Sequence, residues 1–212
     1  MAIYSRKKNF IFIHIYKCGG NTIKKLLSEV DDIIEIWGYH STINDVKMYF
    51  YNNNDIESFN KAYKFSIVRN PYNWFQSLYL YILFSRLHPE YSLAKNNSFY
   101  NFLKLLNTKL VERKVEFGSN AYHKSMYDFL SINNKLCMDT VLHLENIDEE
   151  FNIIKNELKL NINVHNHVPI INKNKRIDKA VYNKIINKNI INLINEIDQI
   201  DFETFNYYKL KG

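Results

Sequence analysis

Lys17, Gly19 and Gly20 are the first residues along the chain whose types suit the binding of an anion. Before them lies the apolar run 10–15, which is typical of a strand buried on both faces of a parallel sheet. After them, apolar residues recur at helical spacing, at Ile23, Leu26, Leu27 and Val30. Two glycines let backbone N–H groups converge, and a helix start adds unpaired N–H groups and a positive dipole end. The segment predicts a seat for phosphate or sulfate, although an ordinary strand-to-helix turn has the same pattern.

A second group of polar residues follows another predicted strand, 65–68. Arg69 ends this strand, and Asn70 and Pro71 suit the cap and the first position of a helix. Ser77 lies two turns into that helix, ~10 Å along its axis, so an arginine that lies back along the helix can share an anionic group with it. A surface arginine and a serine bonded to its own helix backbone are the alternative. Together with the lysine segment, the pair predicts a site for a nucleotide that carries phosphate at both ends.

Two runs of sequence resemble the donor-binding motifs of sulfotransferases that use 3′-phosphoadenosine 5′-phosphosulfate (PAPS). The run at 13–23, I-H-I-Y-K-C-G-G-N-T-I, is similar to their 5′-phosphosulfate loop. The run at 68–79, V-R-N-P-Y-N-W-F-Q-S-L-Y, is similar to their 3′-phosphate motif. The branch that the chain resembles most is the carbohydrate type, which includes heparan 2-O-sulfotransferases and bacterial and viral relatives. Shorter similar stretches continue along most of the chain, at 39–42, 141–146, 167–173 and 198–207.

The first motif departs from the family pattern at three positions. Tyr16, Cys18 and Asn21 stand where the family usually has proline, threonine, and threonine or serine. Backbone donors do not depend on these side chains, so we expect phosphate binding to be retained. The hydroxyl contact to the sulfuryl group is then expected from Thr22.

The resemblance implies a P-loop-like three-layer α/β/α fold with a central, mostly parallel sheet, in one domain over residues 1–212. It also implies metal-free transfer of a sulfuryl group from PAPS to a hydroxyl, most readily that of a saccharide. Lys17 would neutralise charge on the leaving phosphate, while Arg69 and Ser77 would hold the 3′-phosphate. We call residues 17–22 the lysine loop. The loop residues expected at the 5′-phosphate are Lys17, Cys18, Gly19, Gly20, Asn21 and Thr22. Lys173, in a stretch similar to a nucleotide-proximal loop of the family, is also expected to bind the donor.

His40 is the expected general base. An unperturbed imidazole has a pKa of ~6.5, which suits proton removal at neutral pH. The residue follows a predicted strand, 33–37, whose carboxyl end should face the same cleft as Lys17 in an open α/β sheet. The family has a histidine at this place, although a histidine after a strand is by itself more often a capping or surface residue. His14 lies inside the first strand, and we expect it to be a core residue with satisfied hydrogen bonds.

Two other functions share parts of this pattern. A P-loop kinase or NTPase also has a strand, a glycine loop and a helix. The chain lacks G-x-x-x-x-G-K-[ST], however, and Lys17 precedes the glycines instead of following them. A non-catalytic glycan-binding module on a sulfotransferase scaffold is the second alternative. The remaining histidines show no spacing with cysteines or acids that suggests zinc.

Length and composition fit a globular α/β protein, with 212 residues and 46% hydrophobic content. The formal net charge of +6 suits a polyanionic donor; we do not expect a nucleic-acid partner, because the basic residues are scattered and form no recognisable module. Two cysteines are too few for a disulfide framework. No apolar run approaches the ~18 residues of a membrane span. Because animal members of the family that the chain resembles are Golgi-anchored, the resemblance implies a cytosolic enzyme of bacterial or viral source, or else a trimmed Golgi-luminal domain. The sequence predicts neither the identity of the acceptor nor the oligomeric state.

Overall fold

The computed structural model describes residues 1–36, 40–111, 124–162 and 186–212. Its contacts divide the chain into two compact units. The first unit comprises residues 1–69 and 126–173, and the second comprises residues 70–125 and 174–212. Whether the chain forms a single domain over residues 1–212 stays a prediction.

The first unit is built on a five-stranded sheet with the strand order β3-β1-β2-β4-β7. The strands of this sheet are β1 (Ala2–Ser5), β2 (Phe10–Ile13), β3 (Ile33–Ile36), β4 (Tyr63–Val68) and β7 (Thr140–His143). A separate two-stranded hairpin is formed by β5 (Ser131–Ile132) and β6 (Lys135–Leu136). β2, β4 and β7 pair in parallel, whereas β1 is antiparallel to both of its neighbours. Four of the five strands in this described sheet therefore run in one direction, which confirms the mostly parallel sheet.

The helices lie between and after these strands. The described helices of the first unit are α1 (Gly20–Leu27), α2 (Ile43–Asn52), α3 (Ile56–Lys61), α7 (Met126–Leu130) and α8 (Ile147–Glu157), with a 3₁₀ turn at Leu144–Asn146. Those of the second unit are α4 (Pro71–Phe84), α5 (Tyr91–Lys95), α6 (Phe99–Val111), α9 (Lys188–Ile197) and α10 (Gln199–Thr204).

Helices cover both faces of the sheet in the first unit. On one face, buried side chains of α1 and α8 share a core with Phe12 and Phe65. On the other face, Phe50 of α2 packs edge-on against Tyr4 of β1, with ring centroids 4.9 Å apart. The central strand β2 is buried on both faces, as its continuous apolar sequence predicted. Strand β4 is also buried on both faces, although it includes Lys64 and Ser66. The first unit thus has three layers, and the carboxyl ends of β2, β3, β4 and β7 meet at one edge of its sheet.

Two local predictions differ from the structure. The first predicted strand ends at Ile13, because residues 14–19 already form the approach to α1. The spacing of Asn146 and Glu149 predicts a capping box at the start of α8, but Asn146 makes no side-chain cap. Its Nδ2 instead donates to Glu150 Oε1 at 3.2 Å. Glu150 is held there because its other oxygen accepts the main-chain N–H of His143 at 2.6 Å.

The second unit consists of helices among its described residues. The side chain of Asn70 caps α4 by accepting the N–H of Tyr72 at 3.1 Å, and Pro71 takes the first helical position, as predicted. The hydroxyl of Tyr72 donates to Asn195 of α9 and accepts the N–H of Leu210 at 2.8 Å. These bonds fix the end of the chain to α4 and α9. Within the part of the chain that the structure describes, no helix has both the length and the apolar character that crossing a bilayer requires.

We predict that Thr42→Ala destabilises the first unit by about 1 kcal/mol, because Thr42 closes a capping box at the start of α2. Its hydroxyl accepts the Asp45 N–H at 3.2 Å, and Asp45 Oδ2 accepts the Thr42 N–H at 2.8 Å. Urea unfolding measures the change, and Thr42→Ser is the control because it keeps the oxygen. Equal unfolding midpoints for the two variants would contradict the importance of this cap.

Candidate functional site

The lysine loop turns into α1 at Gly19, whose φ of 77° lies in the left-handed region that favours glycine. The N–H of Thr22 already donates to the Gly19 carbonyl at 3.0 Å, so it is a poorer ligand donor than the sequence predicted. The N–H groups of Gly20 and Asn21 precede the first intrahelical bonds of α1. These two amides, at the positive end of the helix dipole, are the backbone groups best suited to an anion.

Gly20 is needed for a second reason, which is the close approach of His14. A methyl group built on Gly20 would overlap the imidazole of His14 at Cδ2 and Nε2. The ring of His14 is buried, with 8% of the residue exposed. His14, which follows β2, and Gly20, the first residue of α1, therefore pack directly on each other, and the glycine makes this packing possible.

Lys17 is half-buried and has a φ of 63°, which is uncommon for a residue with a side chain. Its ammonium has a pKa lowered to about 8, first because burial disfavours the charged form and second because the positive charge of Arg69 is near. At neutral pH the lysine remains mostly charged. A negatively charged ligand at this place would counteract the shift, because its charge stabilises the charged form of the lysine.

Arg69 joins the end of β4 to the lysine loop. Its Nη1 donates to the main-chain oxygen of Lys17 at 3.2 Å. Its main-chain N–H donates to the sulfur of Met126, the first residue of α7, at 3.4 Å. Lys17 and Arg69, which the sequence predicted to bind one ligand, therefore follow different strands, and their positive charges lie near each other.

His40 lies against the strand that leads into the lysine loop. Its Nδ1 is 3.3 Å from the main-chain oxygen of His14, and its ring meets the ring of Tyr16 at a centroid distance of 5.5 Å. A carbonyl oxygen can only accept, so Nδ1 carries the proton and Nε2 keeps a lone pair. Like Lys17, His40 has a positive φ, of 66°. Two uncommon backbone conformations within one small region are typical of functional sites.

The pKa of His40 differs from the expected value of ~6.5. It is lowered to about 4, chiefly because burial disfavours the imidazolium, with the positive charge of Lys17 as a further cause. The pKa of His14 is lowered to about 3 by burial and by the neighbouring His40. Both imidazoles are therefore neutral at pH 7.

Residues 1–208 match the family model described as the sulfotransferase family. The chain belongs to the sulfotransferase family. Comparisons with curated proteins and with solved structures gave no match. Family membership makes the chain a transferase that moves a sulfuryl group to a hydroxyl-bearing acceptor.

The other predicted site residues of this sulfotransferase are Cys18, Ser77 and Lys173. Cys18 is buried, and its sulfur lies 3.7 Å from that of Met126, so its thiol does not face solvent. Ser77 is buried on α4 in the second unit, and its convergence with Arg69 stays a prediction. Lys173 lies outside the described residues.

Sequence reasoning missed the roles of His14 and Met126 in this sulfotransferase site. His14 was expected to be a satisfied core residue, but its buried Nδ1 has no hydrogen-bond partner among the described residues. The sequence did contain a signal for this, because His14 is the polar residue in the otherwise apolar run 10–15. Met126 gave no signal, because it is 108 positions from Cys18 and reaches the loop only through the fold.

Two further features of the described residues bear on the site. No group of three or more histidine, cysteine or acidic side chains among them is arranged to hold a metal ion, and the metal-free chemistry stays a prediction. The second unit has a groove of about 610 Å³ between α6 and α9. It is lined by Tyr100, Lys104, Asn107, Asn189, Asn192, Leu193 and Glu196. None of these lining residues was predicted to act in catalysis or donor binding.

We predict that Gly20→Ala destabilises the protein by about 1–3 kcal/mol, because the new methyl group overlaps the His14 ring. Without that overlap the sign would be opposite, since alanine is a better helix residue than glycine by about 1 kcal/mol. Urea unfolding of Gly20→Ala, His14→Ala and the double variant separates the two effects. We expect the double variant to be more stable than the sum of the single changes, by about 0.5–3 kcal/mol. Strict additivity would show that the packing of these residues is not what requires the glycine.

Proposed function

We propose that this member of the sulfotransferase family transfers the sulfuryl group of PAPS to a hydroxyl of a saccharide. The observation that carries the proposal is the hydrogen bond between Arg69 Nη1 and the Lys17 carbonyl. It joins the cation expected for the 3′-phosphate to the loop expected for the 5′-phosphosulfate. Two fixed cations beside the start of a helix favour a small ligand with several negative charges.

Lys17 and the amides of Gly20 and Asn21 hold the 5′ end of the donor in this proposal. The lysine charge lies where negative charge develops on the phosphate oxygen as the bond to sulfur breaks. Arg69 holds the 3′-phosphate together with Ser77. A guanidinium has five N–H donors, so it can bind the Lys17 carbonyl and a phosphate at the same time. Lys173 is proposed to add a further charge to the donor.

His40 accepts the proton of the acceptor hydroxyl through Nε2 in the proposed reaction. The hydroxyl oxygen forms a bond to sulfur while the bond between sulfur and the bridging phosphate oxygen breaks. The products are a sulfate ester, 3′,5′-bisphosphoadenosine and an imidazolium, which later loses its proton to solvent. The hydrogen bond from Nδ1 to the His14 carbonyl supports this role, because it holds the ring in the tautomer that a base at Nε2 requires.

The low pKa of His40 makes it a weak base in the free protein. A bound polyanionic donor changes this, since negative charge near the ring favours the imidazolium and raises its pKa. The two cations and the weak base thus fit one reaction. Proton uptake by His40 therefore becomes more favourable when the donor is bound.

We predict that the protein binds 3′,5′-bisphosphoadenosine at least about tenfold more tightly than 5′-AMP in the presence of a chelator. A hydrogen bond between charged groups contributes about 1.5–3 kcal/mol, which corresponds to roughly a tenfold to hundredfold ratio. Isothermal titration calorimetry measures both affinities. Arg69→Ala should bring the two affinities close together, whereas Arg86→Ala, at an exposed position, should leave the ratio unchanged.

Two results of this titration would contradict the proposal. Equal affinities of the unaltered protein for the two nucleotides would remove the 3′-phosphate site. A preference for ATP with magnesium would favour a kinase or NTPase. Transfer of labelled sulfate from PAPS to a panel of saccharides separates an enzyme from a glycan-binding module.

We predict a bell-shaped pH dependence of kcat/KM for the donor, with limbs near the pKa values of His40 and Lys17, about 4 and about 8. Activity is lost below the first value because His40 becomes protonated, and above the second because Lys17 loses its charge. Rates measured from pH 3 to 10 test this. Lys17→Arg should remove the alkaline limb, since arginine stays charged throughout.

His40→Ala should lower kcat by about 10²- to 10⁴-fold, whereas Lys25→Ala, on the exposed side of α1, should not. An unaltered rate in His40→Ala would remove this residue from the mechanism.

A further inference from the structure

The sulfur of Met126 lies at the centre of a set of contacts between the lysine loop and β4. Cys18 Sγ is 3.7 Å from Met126 Sδ, and the main-chain N–H of Arg69 donates to the same sulfur at 3.4 Å. Met126 and Cys18 are both buried, with 0% and 1% of each residue exposed. A thioether sulfur is a weak acceptor, but here it receives two groups from separate segments.

These contacts close a ring. Met126 contacts Cys18, whose neighbour Lys17 accepts through its carbonyl from the Arg69 side chain, and the Arg69 main chain returns to Met126. The amide of Cys18 is also bonded, to the Ile15 carbonyl at 3.4 Å. The left-handed backbone at Lys17 needs such restraint, because uncommon conformations persist only where surrounding contacts fix them.

Methionine suits this position better than another apolar residue of similar size. Leucine would fill nearly the same volume. It offers no acceptor, however, so the sulfur contacts of Arg69 and Cys18 would both be lost. The unbranched thioether also adapts its rotamers to irregular gaps, which suits a residue between two loops.

We propose that Met126 is a positioning residue of the donor site, whose sulfur sets the separation of Lys17 from Arg69. This proposal rests on the proposed function, because it concerns how the donor nucleotide is bound. A ligand with phosphate at both ends must meet the two cations at once. A ligand with one phosphate needs only the lysine loop. Loss of the sulfur therefore weakens the first ligand more than the second, as for any ligand held at two linked sites.

The test compares Met126→Leu with Met48→Leu, a matched control at an exposed position of α2. We expect Met126→Leu to weaken binding of 3′,5′-bisphosphoadenosine by about threefold to tenfold and binding of 5′-AMP by less than twofold. The donor KM should rise by a similar factor, with a smaller change in kcat. Met48→Leu should change none of these values. Thermal unfolding of each variant reports any general loss of structure.

A second variant keeps the test decisive if Met126→Leu is unstable. Cys18→Ala removes the other half of the sulfur contact, so it should lower the ratio of the two affinities in the same direction. The double variant should lower it by less than the product of the single effects. Protein in which selenomethionine replaces methionine should keep the original ratio, because selenium is also an acceptor.

Three results bear on the proposal in different ways. An unchanged affinity ratio in both Met126→Leu and Cys18→Ala overturns it while leaving the proposed function intact. A proportional loss of both nucleotides together with a lower unfolding temperature overturns it in favour of a purely structural role. If the unaltered protein itself shows no preference for the bisphosphate, the proposed function fails first, and this inference fails with it.

Discussion

The site depends on bringing two positive side chains together at one edge of the sheet. Burial disfavours the charged form of Lys17, and the nearby positive charge of Arg69 adds to this, so the pKa of Lys17 is lowered to about 8. The Arg69 hydrogen bond to the Lys17 carbonyl offsets part of this cost, since it satisfies one guanidinium N–H with a backbone oxygen. Binding of an anion would offset the rest of this free-energy cost, because its negative charge stabilises both positive side chains. The site is therefore organised for a negatively charged ligand before that ligand arrives.

His14 connects the two halves of the proposed chemistry. Its carbonyl accepts from His40 and fixes the tautomer of that ring, while its own imidazole packs on Gly20 at the start of α1. His14 thus contacts both His40, the expected base, and the start of α1, which is expected to hold the donor. The close approach also explains why the loop has two consecutive glycines. The first provides the left-handed turn, and the second makes room for a ring.

The sequence predicted the central elements of the first unit because these leave local patterns, and it predicted that Lys17 and Arg69 lie near each other. β4 and the Asn70–Pro71 helix start were read from apolar runs and capping residues, and the structure confirms them. β1 was missed because four residues carry too little pattern, and its pairing with β2 depends on a turn at 6–9. Contacts that join distant segments were missed for the same physical reason. Nothing near Cys18 or Arg69 in the sequence indicates that a methionine from α7 lies between them.

The low pKa values in the site point to an order of events. In the free protein, His40 and Lys17 both favour their neutral forms more than they would in water, because each is buried and faces other positive charge. A polyanion beside them reverses the electrostatic part of both shifts. Lys17 then holds its proton more firmly, and His40 becomes a better proton acceptor. A base that strengthens only beside a bound anion does not remove protons while the donor place is vacant. In the proposed mechanism, proton removal from the acceptor is thus linked to the presence of the group that will be transferred.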